Sequence, residues 1–87
     1  MPEWTLYMIR TKNGALYTGI TRDVERRFAE HVAGGKKGAK SLRGRGPLKL
    51  VFQQKISTRS EALKKEAAVK KMSRKEKEGM VEKGNPA

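Results

Sequence analysis

Cysteine is absent from all 87 residues, which excludes a disulfide-stapled secreted mini-protein and a thiolate zinc site. Long apolar runs are missing as well. No stretch approaches the ~20 residues that span a bilayer, and Met1-Pro2-Glu3 opens no hydrophobic leader. A soluble, cytoplasmic protein with no membrane partner is expected. Hydrophobic residues make up only 36% of the chain, so the core must come from a few elements that each present one apolar face. A domain of this length buries only ~60% of its unfolded surface. Acids are scarcer still, with nine Asp and Glu against 21 Lys and Arg, a formal net charge of +12. Self-repulsion at that charge weakens a compact fold and favours a polyanion held against the surface. Nucleic acid is the leading partner, an anionic membrane the second, and a bias serving solubility alone the bland alternative.

The length allows one domain, expected over residues 1–83, with a frayed tail at 84–87. Its first twenty residues read as a hairpin. Trp4 to Arg10 is rich in aromatic and β-prone residues, Lys12-Asn13-Gly14 is a turn signal, and Leu16-Tyr17-Thr18-Gly19-Ile20 answers it. Two registers are open. If Asn13-Gly14 forms a two-residue turn, opposed partners sum to 27 and Tyr7 and Tyr17 point to opposite faces. If Lys12, Asn13 and Gly14 form a three-residue loop with a left-handed Gly14, partners sum to 26 and the two tyrosines share a face.

Thr21 and Asp23 can cap a short helix from about Val24 to Val32, closed by Gly34-Gly35. Val24, Phe28 and Val32 make its apolar stripe, and Arg27 and His31 lie four apart along the stripe's edge. Residues 34–47 hold five glycines and five basic residues, Lys36, Lys37, Lys40, Arg43 and Arg45. Such a loop adapts to a phosphate backbone and binds by charge and shape, with little sequence preference. A third strand follows over residues 48–53, placing Leu48, Leu50 and Phe52 on one face. The last third is helical. Thr58 with Glu61 makes one capping-box pattern, for a helix reaching Met72, and Ser73 with Glu76 makes a second. On the first of these helices Ala62, Glu66 and Val69 occupy the inward face, where an unpaired glutamate costs stability. Lys64, Lys65, Lys70, Lys71, Arg74, Lys75 and Lys77 either extend a basic footprint or are simply a solvated face.

Leu6-Tyr7-Met8 and Tyr17-Thr18-Gly19 resemble the two halves of the signature of the GIY-YIG nuclease superfamily. Arg27 and His31 stand at the spacing of that family's arginine and its following histidine or tyrosine. The segment from Ser60 to Ala67 looks like the family's helix with a single metal-binding glutamate, here Glu66. The likeness runs from about Trp4 to Met72 and is strongest to small bacterial members. It implies an α+β fold in which a three-stranded antiparallel sheet packs with helices in the order β-β-α-β-α-α. It also implies the register that puts both tyrosines at one site. The activity implied is phosphodiester hydrolysis in DNA, with branched or single-stranded forms as candidate substrates and RNA as an open alternative, in DNA repair or nucleic-acid turnover. One divalent metal, Mg²⁺ or Mn²⁺, would be held by Glu66. Tyr7 and Tyr17 would position the attacking water, one of the two tyrosines, Tyr17 by preference, or His31 would take its proton, and Arg27 would offer its planar fork to the scissile phosphate. Two features depart from the family. Ile20 stands where some relatives carry a lysine, and Asn85 is a poor match to the asparagine that many relatives place after the metal helix. A catalytically weak or silent binding module of the same fold is therefore the alternative, and a ribosome-associated basic protein would leave the inward Glu66 unexplained.

Overall fold

The computed structural model describes residues 3–34, 42 and 44–83. Its elements are β1 (Trp4–Arg10), β2 (Leu16–Thr21), α1 (Val24–Ala33), β3 (Lys49–Ile56), α2 (Arg59–Lys70) and α3 (Arg74–Lys83), in the expected order β-β-α-β-α-α. The three strands form one antiparallel sheet in the order β2-β1-β3. The central position of β1 explains why Thr5 to Ile9 is a continuous buried run, since a strand covered on both faces need not alternate. Leu6 and Met8 look towards Phe52 and Val69, the last of these on α2. Tyr7 and Ile9 look the other way, into a second cluster with Leu42, Tyr17, Leu50 and the α1 residues Val24 and Phe28. The sheet is thus a partition, with α2 on one side and α1 on the other.

The hairpin takes the three-residue register. Tyr7 opposes Gly19 and Ile9 opposes Tyr17, and Gly14 sits at φ +89°, a left-handed conformation that glycine adopts without the steric cost of a Cβ. Strand β3 departs from the expected alternation. Met8 pairs with Phe52, but Ile9 pairs with Leu50, so Val51 is an extra residue opposite the Met8–Ile9 step. That bulge inverts the facing of everything before it. Leu48 and Leu50 fall on the α1 side and Phe52 on the α2 side, so the three do not share one face.

Both capping boxes form. The Thr58 hydroxyl accepts the Glu61 N–H at 3.2 Å. The second box is reciprocal, with Ser73 N–H donating to Glu76 at 2.9 Å and Glu76 N–H donating to the Ser73 hydroxyl at 3.2 Å. Helix α3 is also latched from outside. Arg10 grips Glu78 through both guanidinium nitrogens, at 2.8 and 2.6 Å, and Arg74 joins the same carboxylate at 3.3 Å while donating to the Gly14 carbonyl. The hydrogen bond from Arg10, aided by Arg74, holds the Glu78 carboxyl well down, at about 2. Because the folded value lies below the ordinary one, this contribution to stability is complete above about 4.5 and is lost as the pH falls towards 2. Glu78→Gln is accordingly expected to loosen α3 at neutral pH and to flatten the acid limb of the melting profile. Thermal unfolding followed between pH 2 and 7 checks both.

The tail expected to begin at residue 84 lies outside the described residues. Among the described residues no helix is long and apolar enough to cross a membrane.

Candidate active site

Tyr7, Tyr17, Arg27 and His31 come from three elements and meet on the α1 side of the sheet. Alternation along β1 and the 26-sum register bring the two tyrosine rings side by side, their centroids 6.3 Å apart. Asp23 caps α1 by accepting the Arg26 N–H at 3.1 Å, and the stripe of Val24 and Phe28 seats that helix on the sheet. His31, in its last turn, is turned inwards. The imidazole is 2% exposed, within 5.9 Å of the Tyr7 ring and edge-on to the Tyr17 ring at 5.3 Å. Its position is not that of a surface histidine complementing a helix dipole.

The polar contacts join the same groups. The Tyr7 hydroxyl and His31 Nε2 lie 2.9 Å apart, and Arg27 and Tyr17 are the neighbours that act on the Tyr7 hydroxyl electrostatically. Burial, reinforced by the neighbouring Tyr17, pushes the Tyr7 hydroxyl up to about 12, against a smaller opposing pull from Arg27. Burial likewise pushes the His31 imidazole down, Arg27 adds to the effect, and Glu30 partly offsets it. At neutral pH the site therefore contains a protonated phenol beside a neutral imidazole, one of whose nitrogens carries no proton.

Gly19 makes this packing possible. A Cβ at that position would lie 2.6 Å from the Tyr7 oxygen and 2.7 Å from its Cζ, so the ring occupies the space a side chain would fill. Glu30 was not apparent as a site residue from the sequence, although its i,i+3 spacing from Arg27 is a usable signal. Its carboxylate takes Arg27 at 2.9 Å and Arg26 at 3.4 Å, orienting the guanidinium that reaches Tyr7.

Glu66 belongs to the other layer. On α2 it falls between the buried Ala62 and Val69, with a side chain 20% exposed, and its carboxylate is ion-paired to Lys70 at 3.4 Å. The contacts that unite the other four residues do not extend to it. Among the described residues no three His, Cys, Asp or Glu gather into a metal cluster. Of the basic loop residues, Arg45 is exposed, its carbonyl accepting the Lys12 N–H at 3.0 Å. Lys36, Lys37, Lys40 and Arg43 lie outside the described residues. On the last two helices Lys70 and Arg74 are engaged in ion pairs, whereas Lys64, Lys65, Lys71 and Lys75 are exposed.

The buried phenol gives a direct test. A group whose folded value lies above its unfolded one stabilises the fold fully below the unfolded value, here about 10, and loses that contribution as pH rises towards 12. The loss for Tyr7 is up to about 3 kcal/mol. Tyr7→Phe should remove this alkaline loss, and urea unfolding at pH 9 and pH 11.5 measures the difference.

A fold of this order with two tyrosines, an arginine and a histidine converging on one sheet face defines a class, and comparison with known proteins gives the same one. The GIY-YIG catalytic domain matches residues 3–79, which makes this chain a member of the GIY-YIG nuclease superfamily, in the UPF0213 group that includes YhbQ. Escherichia coli K12 YhbQ is 51% identical over 84 residues, covering 97% of this chain and 82% of that one. A UPF0213 protein of Photorhabdus laumondii is 53% identical over 79 residues, covering 91% and 74%. The solution structure of a UPF0213 protein from Bacillus halodurans superposes with a TM-score of 0.62 at 40% identity, over 97% of this chain and 87% of that one.

Proposed function

We propose that the chain is a small metal-dependent endonuclease that hydrolyses phosphodiester bonds in DNA, in repair or nucleic-acid turnover in the cytoplasm. The observation that carries this reading is the convergence of Tyr7, Tyr17, Arg27 and His31 through direct contacts. Arg27, oriented by Glu30, presents its fork to the scissile phosphate and stabilises the charge that builds there. Half-buried Tyr17 meets the attacking water. Its proton passes along the neighbouring groups Tyr17, Tyr7 and His31, each hydroxyl giving up one proton as it gains another, and the neutral imidazole is the final acceptor. Tyr7, held near 12, acts as a conduit and does not serve as the base.

The donor chemistry of Glu66 fits a hard divalent cation. One half-buried carboxylate suits Mg²⁺ or Mn²⁺, which bind through one or two carboxylates and complete their shell with water and substrate phosphate. When bound, such an ion supplies Lewis-acid stabilisation of phosphate charge. Glu66 is carried by the helix packed across β1 and β2, the strands of the two tyrosines. Its pairing with Lys70 favours the second reading, a silent binding module whose carboxylate is already neutralised.

Nicking of supercoiled plasmid with Mg²⁺ or Mn²⁺ separates the two. Activity is expected in the wild type and should fall by roughly 100- to 1,000-fold in Arg27→Ala, the scale for removing one pre-organised donor to a developing anion. Undiminished nicking by that variant would sink the assignment, and an inactive wild type that still binds DNA would favour the silent module.

A further inference from the structure

The face that carries the tyrosine cluster is hollowed on its hairpin side. A cleft of about 170 Å³ opens next to Tyr17 and is lined by Thr11, Ala15, Leu16, Tyr17, Leu42 and Arg45. Its walls are fixed by backbone pairing. Thr11 N–H donates to the Ala15 carbonyl at 2.9 Å and Ala15 N–H donates to the Thr11 hydroxyl at 3.1 Å. Arg45 N–H donates to the Leu42 carbonyl at 3.2 Å, and Lys12 N–H donates to Arg45 at 3.0 Å, tying hairpin to loop. An aliphatic-lined void on the order of 150 Å³ accepts a benzene-sized ring, so this cleft suits one planar ring and not a base pair. Its lining is apolar at Ala15 and Leu42, aromatic at Tyr17 and cationic at Arg45; the Leu16 side chain packs on the other face of the sheet.

Beyond Arg45 lies a second hollow of about 420 Å³, lined by Lys12, Asn13, Gly44 and Arg45. Among the described residues its lining has two cations and no acid. The slot shares its aromatic wall, Tyr17, with the cluster that includes Arg27, and shares Arg45 with the hollow that includes Lys12. A nucleotide strand presents the complementary succession of phosphate, ring and phosphate. A base in the slot can lie against Tyr17 whatever its identity, because every base has a π-face.

We propose that the cleft beside Tyr17 is a nucleoside subsite. It seats one unstacked base of a DNA strand next to the phosphate addressed by Arg27, and Lys12 and Arg45 hold the neighbouring phosphate. This rests on the reading of the cluster as a phosphodiester site and names its substrate: DNA that is single-stranded or frayed where it binds, since a paired base would first have to leave its stack.

The test uses the full chain in EDTA, so that binding is read without cleavage. Methyl NMR spectra are recorded during titration with a short single-stranded oligothymidylate, and again with the same strand paired to its complement. The methyl groups of Ala15 and Leu42 should shift with the single strand and much less with the duplex. Fluorescence anisotropy over a range of salt should give a log–log slope for the single strand that is lower by about 0.7 in the double variant Lys12→Ala/Arg45→Ala, for the one phosphate the pair holds. The exposed pair Lys75→Ala/Lys83→Ala, on α3, serves as the charge-matched control. Methyl groups that stay put while the single strand binds, or that shift equally with duplex, overturn the subsite. So does a double variant no different from the control, or a wild type that binds neither form. The nuclease reading fails separately, through plasmid nicking that survives Arg27→Ala.

Discussion

Gly19→Ala is expected to disable the site although the change adds only a single methyl group. The new Cβ would stand 2.6 Å from the Tyr7 hydroxyl oxygen and 2.7 Å from Cζ, well inside van der Waals contact. The backbone at Gly19 does not have a positive φ, so the penalty is one of space. Strand β1 is pinned between two neighbours, and the Tyr7 ring, 1% exposed, must therefore be what moves. Overpacking of this kind costs ~1–3 kcal/mol, and a displaced ring breaks the hydroxyl's contact with His31 Nε2. Nicking should fall by at least about 100-fold, since a misplaced group of even 1 Å costs that much. A double-mutant cycle identifies the cause: in a Tyr7→Leu background, which removes the end of the ring, Gly19→Ala should cost much less stability than in the wild type. Equal costs in both backgrounds would place the strain elsewhere.

The glycine of the second motif is thus explained by the tyrosine of the first, a dependence that local propensity cannot reveal. The same division between local and tertiary information runs through the fold. Element order was legible because each boundary carries its own chemistry, as at Thr58 and Ser73, whose side chains cap the helices they precede. The inward position of Glu66 followed from its i+4 and i−3 relation to Ala62 and Val69, both buried. The hairpin register did not follow from the turn residues, since Asn13-Gly14 suits two loop lengths, and only the likeness to a family with paired tyrosines chose between them. The bulge at Val51 was invisible, because Leu48, Leu50 and Phe52 read as a regular alternation and the irregularity belongs to the pairing with β1. The grip of Arg10 on Glu78, across 68 residues, left no trace in either segment. What the spacing of Arg27 and His31 could not convey was burial. A histidine at a helix end reads as a surface group until the sheet below it is known.

Glu66→Ala should abolish nicking without weakening the protein. Its half-buried carboxylate sits between Ala62 and Val69 on the face of α2 that meets the sheet, where a charge is partly desolvated and carries a cost. Against that cost stands one ion pair, to Lys70 at 3.4 Å and four residues away on the same helix, with the lysine side chain more than half exposed. Exposed pairs of this spacing contribute about 0.3–0.5 kcal/mol. Alanine has the highest helix propensity and fits among the neighbouring small residues. The balance therefore favours a variant as stable as the wild type, or slightly more so. Activity should move in the opposite direction, by on the order of 10³-fold, if the carboxylate holds the ion that offsets phosphate charge in the transition state. Two measurements on one preparation decide the matter. Unchanged or raised thermal stability together with lost nicking marks Glu66 as a residue retained for chemistry at the expense of stability. Lost stability would make it a structural residue whose pairing with Lys70 matters to the fold. Undiminished nicking would remove Glu66 from the catalytic set and leave the convergence of Tyr7, Tyr17, Arg27 and His31 to be explained by binding alone.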